Sequence, residues 1–248
     1  MIYLFWIVLG LLLGSFAGVV SGRFKNGGLR AGLTGRSRCD HCTHTLTPLD
    51  LIPLISYIVL RGKCRKCKKK IGVSHIVFEG ISACATLGVG LYFGFHPITV
   101  VTIVIITGLL IVAGIDWYTQ QISELLIIII GFFVLMSAFA SRDITAHLIG
   151  ALIGGGVPAF LVSISKGRWM GAGDIELGAV LGLWVGSPAI WVGLWLAFVI
   201  GALYGVGLMV QKKATMRSAV AFGPFLIVGA YVSFLYGNTM IQWLLGGR

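Results

Sequence analysis

Five of the chain's eight acidic residues stand in or beside apolar segments, where a carboxylate is unusual. They are Glu79, Asp116, Glu124, Asp174 and Glu176. A charged group inside a membrane-spanning segment costs at least a few kcal/mol, so each is a candidate functional group by default. The most informative pair is Asp116, which follows a long apolar run, and Asp174 in "GAGDIEL".

Asp116 and Asp174 could form one catalytic centre. They fall at the same depth and on the same side of the predicted helices, although 58 positions separate them in the sequence. Two carboxyls that share one proton act as one acid and one base, because like charges a few ångströms apart cannot both ionise. Such a pair hydrolyses a peptide bond with water alone. Gly171 and Gly173 would let a substrate backbone approach Asp174.

Each acid also has a purely structural interpretation. Asp174 could be a helix N-cap, and Asp116 could be a solvated acid at headgroup level. Glu124 fits an interfacial charge at a helix start, and Glu176 faces a different side of its helix from Asp174. Glu79, about one turn into its span, is either a group in a substrate or cofactor cavity or a buried, hydrogen-bonded structural acid.

Four cysteines form a second constellation, "CDHC" and "CRKC", with 21 residues between the pairs: Cys39, Cys42, Cys64 and Cys67. This spacing is close to that of a zinc ribbon, in which two tight turns supply four thiolates to one tetrahedral ion. Four thiolates leave no open position, so we expect a structural zinc. The alternatives are reduced thiols or disulfides, and a cytoplasmic location disfavours the latter. His41 or His44 could replace one cysteine as a ligand.

The elements that position these groups are apolar helices. The chain has 248 residues, of which 57% are hydrophobic and 11% charged, and this composition excludes an ordinary soluble domain. It predicts an all-α polytopic membrane protein with about eight spans: 2–22, 74–94, 97–115, 122–140, 145–165, 174–187, 189–210 and 221–244. The predicted domains are a first transmembrane helix at 1–22, a cytoplasmic four-cysteine module at 23–73 and a seven-helix core at 74–248. Glycines in the fifth and sixth spans would allow close helix packing.

The net charge of +11 orients the chain rather than indicating nucleic-acid binding. Twelve of the 19 Lys and Arg lie between Arg23 and Lys70, and with eight spans 17 of the 19 fall on one side. Positive charge collects in cytoplasmic loops, so we expect the cysteine module and the acids on the cytoplasmic face of the membrane. The basic stretch "KCRKCKKK" is also suited to anionic lipid headgroups.

An ordered set of motifs resembles the type IV prepilin peptidases, the polytopic aspartic proteases of the G-x-G-D class. The set comprises "LGSF" (13–16), "LTPLDLIPLISYIVLRGKCRKC" (46–67), Glu79, Asp116, "GAGDIELGAVLGLWVG" (171–186) and "AFGPFL" (221–226). The resemblance covers most of the chain. Departures from the family pattern are Gly18 where Asn is usual, Ser123 where Pro is usual, and Glu176 where Lys is usual.

The resemblance implies a specific function. Such enzymes remove the basic leader peptide from type IV prepilin and pseudopilin precursors, with Asp116 and Asp174 as the catalytic pair. Many also methylate the new N-terminus with S-adenosylmethionine, an activity linked to the cysteine-bearing loop, and we expect Glu79 to contribute to that cofactor's site. The expected partners are these precursors and membrane lipids. Two rival hypotheses are a transporter with the acids as a proton relay, and a non-enzymatic zinc scaffold.

Overall fold

The computed structural model describes residues 2–24, 28–39, 41–141, 143–213, 215 and 220–246. Within these residues the protein is helical, and β-structure is confined to two isolated bridges. The helices are α1 (Ile2–Phe24), α2 (Gly28–Leu33), α3 (Ile55–Val59), α4 (Ser74–Phe93), α5 (Pro97–Thr119), α6 (Glu124–Ala140), α7 (Ile144–Ser165), α8 (Ala172–Val185), α9 (Ile190–Val210) and α10 (Gly223–Leu244); a 3-10 turn covers Pro48–Leu51.

The predicted all-α membrane fold with about eight helices is confirmed. In the part of the chain that the structure describes, six helices are long and apolar enough to cross a membrane: α1, α4, α5, α7, α9 and α10. The apolar helix α6 has 17 residues. The helix α8 has 14 residues, and at 1.5 Å per residue it extends only about 21 Å, which is less than the hydrocarbon core of about 30 Å.

The chain divides into two compact units, Met1–Tyr118 and Thr119–Arg248. In the first unit α1 packs closely against α4, because two glycines bring the helix backbones together. A Cβ at Gly14 would lie 2.5 Å from the carbonyl oxygen of Phe78 and 2.7 Å from Cα of Glu79. A Cβ at Gly10 would lie 2.6 Å from Cα of Ala83. The glycine of the "LGSF" motif therefore sets the distance between α1 and the turn of α4 that carries Glu79.

In the second unit α7 and α8 form a closely packed helical hairpin. A Cβ at Gly182 would collide with the carbonyl oxygen of Gly150, and one at Gly178 would collide with that of Gly154. The predicted use of these glycines is thus confirmed, whereas Gly156 has no atom within 4 Å of its virtual Cβ and takes no part. The hairpin holds the first turn of α8 at the end of the α7–α8 loop, where Asp174 lies.

Candidate functional site

The two cysteine pairs occupy tight turns of the same design. In the first turn the N–H of Thr43 donates to the carbonyl of Cys39, and in the second the N–H of Lys68 donates to that of Cys64. The residue after each second cysteine, Thr43 or Lys68, has a positive φ of 55° or 59°. An isolated bridge closes each turn, between Arg38 and Thr45 and between Lys63 and Lys70. Each turn therefore directs two thiols to one side.

The four sulfur atoms meet as the spacing predicts and form a cluster that could hold a metal ion. The sulfurs of Cys39, Cys42, Cys64 and Cys67 all lie within 4.8 Å of one another. Cys39 Sγ is 3.8 Å from Cys67 Sγ, and Cys42 Sγ is 3.9 Å from Cys64 Sγ. Four thiolates at about 2.3 Å from a zinc ion have sulfur–sulfur distances of about 3.8 Å. A disulfide would need about 2.05 Å, so these are free thiols, and neither His41 nor His44 belongs to the cluster.

The electrostatics of the cluster favour a cation at its centre. Backbone N–H groups of Cys67 and Lys66 donate to the Cys64 sulfur and lower the pKa of that thiol to about 6. The N–H of Lys69 also favours a thiolate at Cys67, but burial and the neighbouring sulfurs outweigh it and raise the pKa of Cys67 to about 11. A thiolate therefore forms readily at Cys64, and a positive charge among the sulfur atoms would favour a second one at Cys67.

A carboxylate ties the two halves of the module together. Asp50 Oδ1 accepts from Arg65 Nε and Nη2, both at 2.9 Å. Its Oδ2 accepts from the hydroxyl of Thr47 at 2.7 Å and from the Thr47 N–H at 3.1 Å. Hydrogen bonding by Thr47, with the nearby Arg65 charge, holds the pKa of Asp50 below its usual range. Sequence reasoning gave Asp50 no specific role, although the Thr-Pro-x-Asp pattern of a capping box was the available signal.

Glu79 connects α4 to this module. Its side chain is buried, and Oε2 accepts from the N–H of Leu54 at 2.9 Å. Leu54 has a φ of +56°, an uncommon conformation for a side chain of its size. The carboxylate therefore holds a strained backbone turn just before α3, which agrees with the structural interpretation of Glu79.

Glu79 also lines the large cavity of the first unit. This cavity has a volume of about 450 Å³ and lies between α1, the cysteine module and the first turns of α4. Its lining combines hydroxyl, aromatic and carboxylate groups, among them Ser15, Ser56, Tyr57, Tyr118 and Glu79, with several Lys, Arg and His side chains. A volume in this range suits a small-molecule ligand. Glu79 is therefore both a buried structural acid, which accepts a hydrogen bond, and a residue that lines a cavity.

Asp116 is buried in the first unit, 5% exposed, in the last turn of α5. The helix continues to Thr119 rather than ending at residue 115 as predicted. The adjacent Gly114 is in close contact with α1 and α4, since its virtual Cβ would lie 2.5 Å from Ser21 Oγ and from Phe78 Cζ. The carboxyl lies at the end of a helix, where the helix dipole opposes a negative charge, and its burial does not fit the alternative of a solvated acid at headgroup level.

Asp174 is buried in the second unit, 8% exposed, at the third position of α8. Gly171, and not Asp174, is the N-cap residue. The Gly171 N–H donates to Asp174 Oδ2 at 3.0 Å. In the preceding loop, Trp169 N–H donates to Ser165 Oγ and Arg168 Nε to the Ser165 carbonyl, so the connection from α7 is held in place. One carboxyl oxygen of Asp174 therefore holds the turn in place, and Oδ1 has no such bond to any residue that the structure describes.

The two glycines beside Asp174 differ in their surroundings. A Cβ at Gly171 would meet only Asp174 Oδ2, at 3.8 Å, so one face of this residue is open. A Cβ at Gly173 would lie 2.9 Å from Cβ of Ile122, so that space is filled from within the protein. The expectation that both glycines admit substrate therefore needs correction at Gly173. Glu176 is exposed.

Two family models match the chain. The Bacterial Peptidase A24 N-terminal domain matches residues 8–93, which include the cysteine cluster and Glu79. The Type IV leader peptidase family matches residues 103–206, which include Asp116 and Asp174. No solved structure matches the chain significantly.

Curated relatives match over most of the sequence. A protein of Bacillus subtilis (strain 168) is 31% identical over 96% of both chains. One of Burkholderia pseudomallei (strain K96243) is 33% identical over 98% of this chain and 88% of the relative, and one of Aeromonas hydrophila is 30% identical over 85% and 74%. All three are named prepilin leader peptidase/N-methyltransferase. With this similarity, the four-cysteine cluster and the membrane helices, the chain belongs to the type IV leader peptidase family.

Proposed function

We propose that the protein is a membrane aspartic endopeptidase that removes the basic leader from type IV prepilin or pseudopilin precursors. The observation that carries this proposal is the burial of Asp116 and Asp174, each at a helix end, in a chain of the leader peptidase family. Removing a carboxyl group from water is costly, and membrane proteins retain such buried groups mainly where they act.

The proposed reaction needs only these two carboxyls and water. One carboxylate takes a proton from a water molecule whose oxygen attacks the scissile carbonyl carbon. The other carboxyl gives its proton to the carbonyl oxygen. As the tetrahedral intermediate collapses, the first carboxyl passes the proton from water to the leaving amine, and the second recovers its proton from a hydroxyl of the intermediate. The Gly171 N–H holds Asp174 Oδ2, which leaves Oδ1 to face the water. The open side of Gly171 gives an extended substrate backbone room to approach.

The precursor's apolar helix would enter from the lipid, with its leader in the cytoplasm. The positive-inside distribution supports this location, because 17 of 19 basic residues then lie on the cytoplasmic side. The substrate chain must unwind near the scissile bond, since a helix hides its carbonyl groups in hydrogen bonds.

Mass spectrometry of a co-expressed pilin-like precursor tests the peptidase proposal. We expect Asp116→Asn and Asp174→Asn each to abolish leader removal, because an amide can neither accept nor return the proton. Glu176→Gln is the matched control, since it removes an exposed charge two residues from Asp174. Full cleavage by either Asn variant at wild-type protein level would refute the proposal.

A second candidate activity, N-methylation of the new N-terminus, is favoured by the cavity beside Glu79. When bound, S-adenosylmethionine supplies a methyl group on a cationic sulfonium. The lining fits this group: the Glu79 carboxylate would balance the positive charge, Tyr57 and Tyr118 offer aromatic surfaces, and Ser15 and Ser56 offer hydroxyls. Glu79→Gln should lower cofactor binding and leave cleaved but unmethylated product, whereas Glu124→Gln should not. Unchanged binding in Glu79→Gln would contradict this assignment.

We further propose that the cysteine cluster holds one structural zinc ion and that residues 23–73 form a module distinct from the helical core at 74–248. This proposal is supported by four sulfur atoms that lie within 4.8 Å of one another, with two pairs at 3.8 and 3.9 Å, close to the separation in a tetrahedral zinc site. Elemental analysis should find one zinc per chain in the wild type and in Cys84→Ser, and none in Cys64→Ser. Zinc retained by Cys64→Ser would contradict a four-thiolate site.

A further inference from the structure

The short helix α3 exposes an apolar face although it lies outside the membrane-spanning segments. Ile55 is 60% exposed, Ile58 71% and Val59 70%. These residues are spaced i, i+3 and i+4, so they share one side of the helix. Exposed apolar side chains grouped in this way mark an interaction surface.

Cations border this face. A shallow depression of about 270 Å³ is lined by Val59, Leu60 and a group of basic residues, Arg61, Lys63, Arg65 and Lys68. Arg65 is paired with Asp50. Among the described residues Arg61, Lys63 and Lys68 are exposed and have no ion pair. No acidic residue occurs between positions 51 and 78. The depression therefore suits an anion such as a phosphate group, and Val59 places it directly beside the apolar face.

The chain itself keeps this surface near a bilayer. The module is joined at one end to α1, which ends at Phe24, and at the other to α4, which begins at Ser74, and both helices are long and apolar enough to span a membrane. A helix with apolar side chains on one face and adjacent Lys and Arg is typical of segments that lie in the plane of an anionic membrane surface.

We propose that the α3 surface, defined as Ile55, Ile58, Val59, Arg61, Lys63 and Lys68, docks the cysteine module onto an anionic lipid leaflet. The three apolar side chains enter the boundary between headgroups and acyl chains, and the three cations contact lipid phosphates. This contact fixes the module, and with it the cavity beside Glu79, against the membrane from which a substrate helix would arrive. The inference does not depend on the peptidase proposal, because lipid contact is measured without cleavage.

Photo-crosslinking of the full chain in nanodiscs tests the proposal. The photoreactive residue p-benzoylphenylalanine replaces Ile58 in one variant. In the control it replaces Tyr57, which is half-buried and lines the cavity. We expect Ile58 to yield lipid adducts several-fold more abundantly in discs of phosphatidylcholine with phosphatidylglycerol than in phosphatidylcholine alone. Tyr57 should yield few adducts in either. Adducts at Ile58 to protein only, or none, would overturn the proposal.

A charge variant tests the role of the cations. In the Ile58 photo-crosslinking background, Lys63→Gln/Lys68→Gln should reduce the lipid adduct several-fold in anionic discs. Lys212→Gln/Lys213→Gln, which removes the same charge from another exposed loop, should leave it unchanged. Zinc content checks that each variant keeps the module folded.

Hydrogen exchange of the wild-type protein tests docking without a photoreactive residue. The backbone amides of residues 55–59 should exchange more slowly in anionic discs than in phosphatidylcholine discs. Equal exchange rates in both lipids would contradict docking.

Discussion

At the scale of single residues, Glu79 and Asp174 use one carboxyl oxygen in the same way. Glu79 Oε2 accepts from Leu54 N–H, and Asp174 Oδ2 accepts from Gly171 N–H. Each acid therefore fastens a backbone turn and keeps a second oxygen for another partner. An amide at either position preserves an acceptor oxygen, so Gln and Asn variants should fold while losing the charge. The Gln and Asn variants therefore distinguish a loss of activity from a loss of folding better than alanine variants would.

Asp50 should make the stability of the cysteine module depend on pH. Its pKa is lowered in the folded protein by hydrogen bonds from Thr47 and by Arg65. The resulting stabilisation is complete above the ordinary carboxyl pKa of about 4, and is lost as the pH falls through the lowered value. Hydrogen exchange of residues 47–51 should be faster in Asp50→Asn than in the wild type at neutral pH, and the difference should shrink below about pH 4. A difference independent of pH would contradict this role.

At the scale of elements, the long helices of the described residues and the cysteine turns could be predicted, because both follow from local patterns. Apolar runs of bilayer length predict spans, and paired Cys-x-x-Cys segments predict tight turns. Two features could not be predicted from the sequence: the contact between Ile122 and Gly173, and the positive φ of Leu54. Both depend on residues that tertiary packing brings together, so no local pattern indicates them. The exposed face of α3 was missed for a related reason, since burial cannot be read from a short apolar run.

Close packing of α7 against α8 should depend on individual glycines. In Gly182→Ala the new methyl group would collide with the Gly150 carbonyl oxygen, so the helices must separate, and we expect a loss of about 1–3 kcal/mol. Gly156→Ala is the matched control, because its Cβ meets nothing within 4 Å and alanine is the better helix former. Thermal unfolding in detergent should show a lower midpoint for Gly182→Ala alone. Equal midpoints would show that the hairpin tolerates separation.

At the scale of the whole molecule, the account depends on which side of the membrane each loop occupies. If the eight predicted spans all cross the membrane, both termini lie outside the cytoplasm and the loops rich in Lys and Arg lie inside it. A C-terminal alkaline phosphatase fusion should therefore be active, and a fusion after Lys213, in the loop that follows α9, should be inactive. The reverse result would place the cysteine module and both aspartates on the wrong face for a cytoplasmic leader.

The most direct test of the central claim asks whether residues 116 and 174 meet. The variant Asp116→Cys/Asp174→Cys, in a Cys84→Ser background with zinc bound, is treated in membranes with a short bifunctional thiol reagent and digested for mass spectrometry. We expect an abundant crosslink between positions 116 and 174. The control variant Asp116→Cys/Glu176→Cys should give little crosslinked product, because Glu176 faces a different side of α8 from Asp174. If each cysteine reacts singly but the 116–174 crosslink does not form, the two carboxyls do not share a catalytic centre.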